Sequence, residues 1–175
     1  MSADISSNIL FRQETNRDIS AIRTVNYSAF MNHPHHTSGA EPTEHLIVDR
    51  LREARALSLS LVAERNGVIV GHLGVSPVKI NGNDMNWFGI APVAVLPNFQ
   101  QQSIGSQLIN KSIELTKQQG AAGLVLLGDP AYYHRFGFRR DENMIYSDAP
   151  SEYFLSMPFT SNSTEGVVTY DNAFS

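Results

Sequence analysis

Cysteine does not occur among the 175 residues. Disulfides, thiolate metal sites and a cysteine nucleophile are therefore excluded, and nucleophilic chemistry has to come from a substrate, a Ser, Thr or Lys, or a carboxylate. Basic residues are few as well: 13 Lys and Arg stand against 17 Asp and Glu, a formal net charge of −4. No Lys/Arg run tracks a phosphate backbone, which argues against nucleic acid as a partner. No apolar run approaches the roughly 20 residues that cross a bilayer, and Met1 to Asn8 lack the charged start and apolar stretch of a secretion signal. The expected location is the cytoplasm, with no membrane partner. Neither an internal repeat nor a composition break divides the chain, so residues 1–175 are expected to form one domain.

What is present suits an ordinary folded core. Apolar residues make up 42% of the chain and charged residues 17%, in segments punctuated by Gly and Pro. A chain of this length buries roughly 70% of the surface it exposes when unfolded.

Ile9 to Arg12 reads as a first strand, and Thr15 with Asp18 three residues on gives a capping-box start to a helix reaching about Phe30, with Ile19, Ile22, Val25 and Phe30 inward. Met31 to Pro42 is poor material for regular structure and reads as a loop. A second helix starts near Thr43 with Leu46, Ile47, Leu51 and Ala54 on its apolar side. Leu59 to Arg65, Asn66-Gly67 and Val68 to Lys79 form a hairpin pattern, because Asn-Gly accepts the positive φ of a type I′ turn. Ser76-Pro77-Val78 reads as a turn of the sheet. Asn81-Gly82 leads to another strand, roughly Met85 to Leu96, giving an antiparallel meander.

After Pro97 the period changes to about 3.6. From Ile104 to Thr116 the residues Ile104, Leu108, Ile109, Ile113 and Leu115 share half a wheel, and Gly120 is placed to cap the helix. Gly123 to Gly128 is an unbroken apolar strand, which implies burial on both faces and a parallel crossover. Asp129-Pro130 starts a short helix through Arg135, Phe138-Arg139 reads as a strand, and Tyr153 to Phe159 with Gly166 to Tyr170 reads as a final strand pair. Its free edge is one that a second subunit could extend into a homodimer.

The chemistry concentrates at Phe99 to Ser106. This polar loop delivers the chain into a helix start, where free N–H groups and the helix dipole favour an anion such as phosphate. Turns of this kind also occur without a ligand. Neither a Walker loop nor a dinucleotide-binding glycine fingerprint is present.

The string PVAVLPNFQQQSIGSQLI closely resembles the signature of the GNAT acetyltransferases, and GDPAYYHRFGF resembles the strand, short helix and strand that follow it there. The likeness covers about Ile9 to Phe138 and is nearest to small bacterial acetyltransferases of mostly unassigned substrate. It implies an α+β fold, a mixed and mostly antiparallel sheet flanked by helices, with strands 4 and 5 splayed around the pantetheine arm of acetyl-CoA. By the same resemblance, backbone groups of Val93, Ala94 and Val95 pair with that arm. The pattern Q-x-x-G-x-G falls on Gln100, Ser103 and Gly105, with the N–H groups of Gln101, Gln102, Ser103, Ile104, Gly105 and Ser106 facing the pyrophosphate. Ser103 stands where glycine is usual, and Gln101 often matches a second glycine. Because Ser tolerates positive φ poorly, a negative φ is expected at Ser103.

Tyr133 matches the family's tyrosine in Y-x-x-x-G-F and by resemblance is the acid that protonates CoA sulfur, with Tyr132 the neighbour if the register differs. Read without the family, both tyrosines simply pack beside Phe136 and Phe138. Candidates for the base are Glu44, His72, His33, His35 and His36, where His72 reads first as a hydrogen-bonded sheet histidine and Glu44 as a helix-start carboxylate. His33-Pro34-His35-His36 lacks helical i, i+4 spacing, so no metal is expected. The resemblance thus implies acetyl transfer from acetyl-CoA to an amine acceptor. The reading from another class is a module that recognises acyl-CoA without turnover, motivated by Ser103 and the lack of an obvious base.

Overall fold

Two Asn-Gly pairs set the frame of the sheet. In the computed structural model, which describes residues 8–31 and 40–175, Asn66 and Gly67 take φ of 50° and 79°, and Asn81 and Gly82 take 52° and 77°. Paired positive φ values are what a two-residue hairpin turn requires. They join β2 (Leu59–Arg65), β3 (Val68–Ile80) and β4 (Asn83–Val95) into an antiparallel meander. Ser76, Pro77 and Val78 lie inside β3, paired with Gly89, Phe88 and Trp87, so the turn expected there does not form. β1 (Ile9–Gln13) pairs with β2, and β5 (Gly123–Leu127) pairs parallel to β4, giving the order β1-β2-β3-β4-β5-β7 with β7 at Phe154–Pro158.

The tail departs from the expected strand pair. β7 lies antiparallel on β5, whereas β8 (Gly166–Thr169) pairs with the far end of β3 and with the two-residue β6 (Met144–Ile145). Each tail strand is claimed by a free edge of the existing sheet. Val168 completes a cluster with Val78, Ile80 and Trp87, a burial that a partnership with β7 would forgo. Phe138-Arg139 forms no strand: Phe138 is core, and Arg139 makes a single bridge to Ser156.

Alternation along β2 divides the core. Leu61 and Ala63 face α3 (Ile104–Gln118), while Val62 faces α1 (Ile19–Phe30) and α2 (Glu44–Glu53) across the other side of the sheet. The start of α1 is fixed by the expected capping pair, since the Thr15 N–H donates to Asp18 Oδ2 at 2.7 Å and Arg12 grips the same carboxylate at 2.7 and 3.0 Å. A single turn of 3₁₀ helix over Asn16–Asp18 precedes α1. In α2 the buried residues are Val48 and Leu51; Leu46 and Ala54 are exposed and Ile47 is half-buried. Leu46 sits roughly 200° around the helix from Val48, so both cannot face the core. α3 buries Ile104, Leu108 and Ile109 as its wheel demands, together with Ser112 and Thr116, whose hydroxyls donate to Ile109 O and Ser112 O at 2.7 Å.

Candidate functional site

The site begins with an extra residue in β4. Leu73 pairs with Val93 and Val75 with Ile90, so Ala91 and Pro92 both stand opposite Gly74. Such a bulge bends the strand that carries it, and Pro92 has no N–H to give to a neighbouring ladder. β4 and β5 are paired only over Trp87–Gly89 and Gly123–Val125. Beyond that point β4 continues to Val95 beside β3 alone, while β5 runs on beside β7, and the two strands part.

Two cavities open along the parted segment. One, of about 340 Å³, is lined by Val95, Phe99, Gln100, Gln101, Ser103, Ile104, Gly105, Ser106, Tyr132 and Arg135. Its floor is the start of α3: the first helical bond runs from the Gln107 N–H to Ser103 O, which leaves the N–H groups of Ile104, Gly105 and Ser106 without an intrahelical acceptor. Gln100 ties the loop back to the strand by donating from Nε2 to Val95 O at 3.1 Å. Positive charge is supplied by Arg135, whose guanidinium lies 4.4 Å from the Tyr132 ring centre and whose Nε donates to Tyr132 O at 2.8 Å. A free helix terminus and a guanidinium lining one cavity are features suited to an anion of pyrophosphate type.

The expected negative φ at Ser103 is overturned. Ser103 has φ 66° and ψ 11°, and Gln101 has φ 61°. Both residues at glycine-favouring places keep the left-handed conformation, at a cost of roughly 1 kcal/mol or more apiece. The turn they make aims the α3 N-terminus at the cavity. Gln102 does not line it, and donates from Nε2 to Asn98 O at 3.3 Å. Ala94 faces the opposite side of the sheet, packed with Ile22 and Val25, so only its backbone faces the parted edge.

The second cavity, of about 440 Å³, lies at the Val93 end of the segment and is lined also by Phe30, Glu44, Ile47, Gly128, Asp129, Tyr133 and Phe174. A short helix, α4 (Pro130–Tyr133), separates the two. Asp129 caps it by accepting the Ala131 N–H at 2.9 Å. Adjacent residues of this helix then serve different cavities. Tyr132 reaches the first, where its hydroxyl is 3.0 Å from Ser106 Oγ, and Tyr133 reaches the second. Burial, helped by neighbouring Tyr132, pushes the Tyr133 phenol up to about 12, so it carries its proton throughout the physiological range. The two rings also pack with Phe136 in edge or tilted contacts.

The base candidates separate clearly. His72 is fully buried between β3 and α1, accepting from Asn26 Nδ2 at Nδ1 (3.1 Å) while its Nε2 lies 2.8 Å from Ser60 Oγ. Asn26 Nδ2 also donates to Ile22 O at 3.0 Å, which fixes the amide orientation and makes Nε2 the protonated ring nitrogen. Burial holds His72 down to about 3, and it lines neither cavity. It is a structural sheet histidine. Glu44 lines the second cavity, and its Oε2 accepts the Thr43 N–H at 3.0 Å. His33, His35 and His36 lie outside the described residues, among which no group of side chains is arranged to hold a metal. No helix of the described residues is long and apolar enough to cross a membrane.

Sequence reasoning missed Arg135, Asp129, Phe30 and Phe174. Phe174 comes from the C-terminal turn and Phe30 from the end of α1, and only tertiary structure brings them to one wall. For Arg135 a signal existed in its place two residues after Tyr133, within the same short helical stretch.

Known proteins resemble this chain in sequence and in fold. The profile of the Acetyltransferase (GNAT) family matches residues 22–138. The uncharacterized N-acetyltransferase YhbS of Escherichia coli is 41% identical over 93 residues, which are 53% of this chain and 56% of that protein, so the chain spans about half the length of this curated relative. YjhQ, another uncharacterized N-acetyltransferase of Escherichia coli, is 33% identical over 69% of this chain and 64% of its own. Among solved structures, a GNAT family acetyltransferase from Brucella melitensis in complex with acetyl-CoA superposes with a TM-score of 0.84 at 39% identity, covering 96% of this chain and 99% of that one. YhbS from Escherichia coli in complex with CoA superposes with a TM-score of 0.86 at 29% identity, covering 95% and 91%.

Proposed function

The chain belongs to the acetyltransferase (GNAT) family, and on that premise we propose that it transfers the acetyl group of acetyl-CoA to a primary amine by direct attack. The observation that carries the reading is the pair of cavities strung along one unpaired strand edge. An anion receptor sits at the Val95 end and a proton-bearing phenol at the Val93 end. Relatives crystallised with acetyl-CoA and with CoA support the choice of ligand.

In this reading the pyrophosphate rests on the amides of the loop and the α3 start, with Arg135 beside it. The pantetheine arm lies against the backbone of Val93, Ala94 and Val95, taking the place that β5 vacates. The thioester then stands beside Tyr133. A neutral amine attacks the carbonyl carbon, the C–N bond forms, and the C–S bond breaks. Tyr133 gives its proton to the departing thiolate and is restored by the proton the amine sheds, for which Glu44 is the carboxylate at hand. Holding the reactants in line and supplying that proton are the two contributions of the protein. α1, α2, α4 and the C-terminal turn all line one cavity, and we take the chain to act as a single domain.

Calorimetric titration with acetyl-CoA tests binding, and amine-dependent release of free CoA thiol tests turnover. Tyr133→Phe is expected to lower kcat by about 10²-fold or more while CoA affinity is kept. Binding without release from any amine would leave a non-catalytic acyl-CoA-binding module, and no binding at all would remove the proposal.

A further inference from the structure

Glycine in the interior of a strand weakens it, since it brings no side chain to pack and gives up more backbone freedom than other residues. Gly74 is such a residue, buried inside β3 between Ser60 of β2 and the bulge of β4. Its φ is not positive, so the left-handed freedom of glycine is not what the position uses. What it uses is room. A Cβ built on Gly74 would stand 3.1 Å from the Ala91 carbonyl oxygen, 3.4 Å from Leu57 Cδ1 and 3.5 Å from Pro92 Cδ. Ala91 and Pro92 are the two bulge residues, so the bulge is seated on the bare backbone of Gly74. Gly71 of the same strand differs: the two atoms nearest a Cβ there belong to the side chains of Ile104 and Leu108. A side-chain end can turn aside, whereas a carbonyl oxygen carries its strand with it.

We infer that Gly74 is a positioning residue, seating the β4 bulge at the depth that sets where the thioester stands; this rests on the acetyl-transfer reading above. Gly74 lines neither cavity, so it acts through the bulge. A methyl group at this position has to lift the Ala91 carbonyl by a few tenths of an ångström. Val93 is the first paired residue after the bulge, and its backbone is the first of the three against which the pantetheine arm lies in that reading. Ala94 and Val95 remain paired with His72 and Gly71, and the loop and the α3 start lie beyond them. The displacement therefore falls on Ala91 to Val93, at the thioester end, and the phosphate end stays as it was. Acetyl transfer depends on reactants held in line, so a shift confined to that end matters for the reaction more than for binding.

The test reads both ends of one bound ligand and needs no acceptor. Acetyl-CoA isotopically labelled at its acetyl carbonyl carbon is bound to the wild-type protein and to Gly74→Ala, the carbonyl carbon and pyrophosphate phosphorus resonances are recorded by NMR, and affinity is measured by calorimetry. In Gly74→Ala the carbonyl resonance is expected to move from its wild-type position, while the phosphorus resonances stay in place and affinity remains within about threefold. If Gly74→Ala gives no cooperative thermal melt, Gly74→Ala combined with Leu57→Val takes its place, because valine lacks the Cδ1 that the new methyl group meets and the push on Ala91 remains. An unmoved carbonyl resonance overturns the inference. So does a change at both ends with loss of affinity, or loss of the melt in the second variant too, since either makes Gly74 a residue of the fold alone. A wild type that binds no acetyl-CoA removes the acetyl-transfer reading itself, and this is seen before any variant is made.

Discussion

Gly105 offers a perturbation in which stability and ligand binding are expected to move in opposite directions. A Cβ built on it meets nothing nearer than Tyr132 Oη and Val95 Cγ2, both at 3.9 Å. Both of those residues line the anion cavity, so the new methyl group points into it without touching the fold. Gly105 is the second residue of α3, a place where alanine is the better helix former. The full interior advantage is about 1 kcal/mol, and half of that is reasonable in a first turn. Gly105→Ala should therefore raise stability by about 0.5 kcal/mol, a rise in Tm of roughly 1–2 °C for a domain of this size. The methyl group occupies space over the free N–H groups of Ile104 to Ser106, so CoA affinity should fall by about tenfold or more, some 1.4 kcal/mol. Thermal melts without ligand and calorimetric titration with CoA give both numbers from the same preparation. Affinity within twofold of wild type would refute the placement of the pyrophosphate, and a lower Tm would refute the claim of free space.

Ser103→Gly should gain about 0.5 kcal/mol in urea unfolding, because the strain relieved at φ 66° slightly exceeds the added backbone freedom of glycine; since the loop already holds the required turn, CoA affinity should change by less than about threefold, and a tenfold gain would show that the serine obstructs the ligand. Gly128→Ala puts a Cβ into the space of the Tyr133 ring, which must move, and should cut kcat by about tenfold with CoA affinity little changed; unaltered kcat would remove Tyr133 from the chemistry. For His72 the folded state holds the ring neutral down to about 3, whereas the unfolded chain takes up a proton near pH 6.5. Stability is thus full above about pH 6.5 and declines below it, by up to roughly 1.4 kcal/mol per pH unit. Urea midpoints measured at pH 7 and pH 5.5, with His72→Gln flattening the difference, check this, and equal slopes in both proteins would overturn it.

Much of the frame was legible because its signals are local. Asn66-Gly67 and Asn81-Gly82 accept the positive φ of a tight hairpin turn at little cost, and the α3 wheel carries its own period. The tail was not legible, because β7 and β8 read alike in sequence and their partners are chosen by which sheet edges stand free. Leu46 and Val48 are equally apolar, and only the angle at which α2 meets α1 decides between them. The conformation of Ser103 ran against its own preference, because the neighbouring strand and helix fix the ends of the loop. The loop residues that line the first cavity form a contiguous motif, whereas the lining of the second draws on Phe30, Ile47 and Phe174 from three distant segments and left no pattern to read.

The position of α4 carries one last consequence. Its neighbouring tyrosines look into different chambers, and its hold on the α3 start is a single hydroxyl pair, Tyr132 with Ser106. On the acetyl-transfer reading, a group that binds at the phosphate end and displaces Tyr132 is expected to move Tyr133 too, since the two are adjacent in one short helix. In kinetic terms, substitutions around Ser106 should appear in turnover as well as in affinity, whereas those confined to Tyr133 should appear in turnover alone.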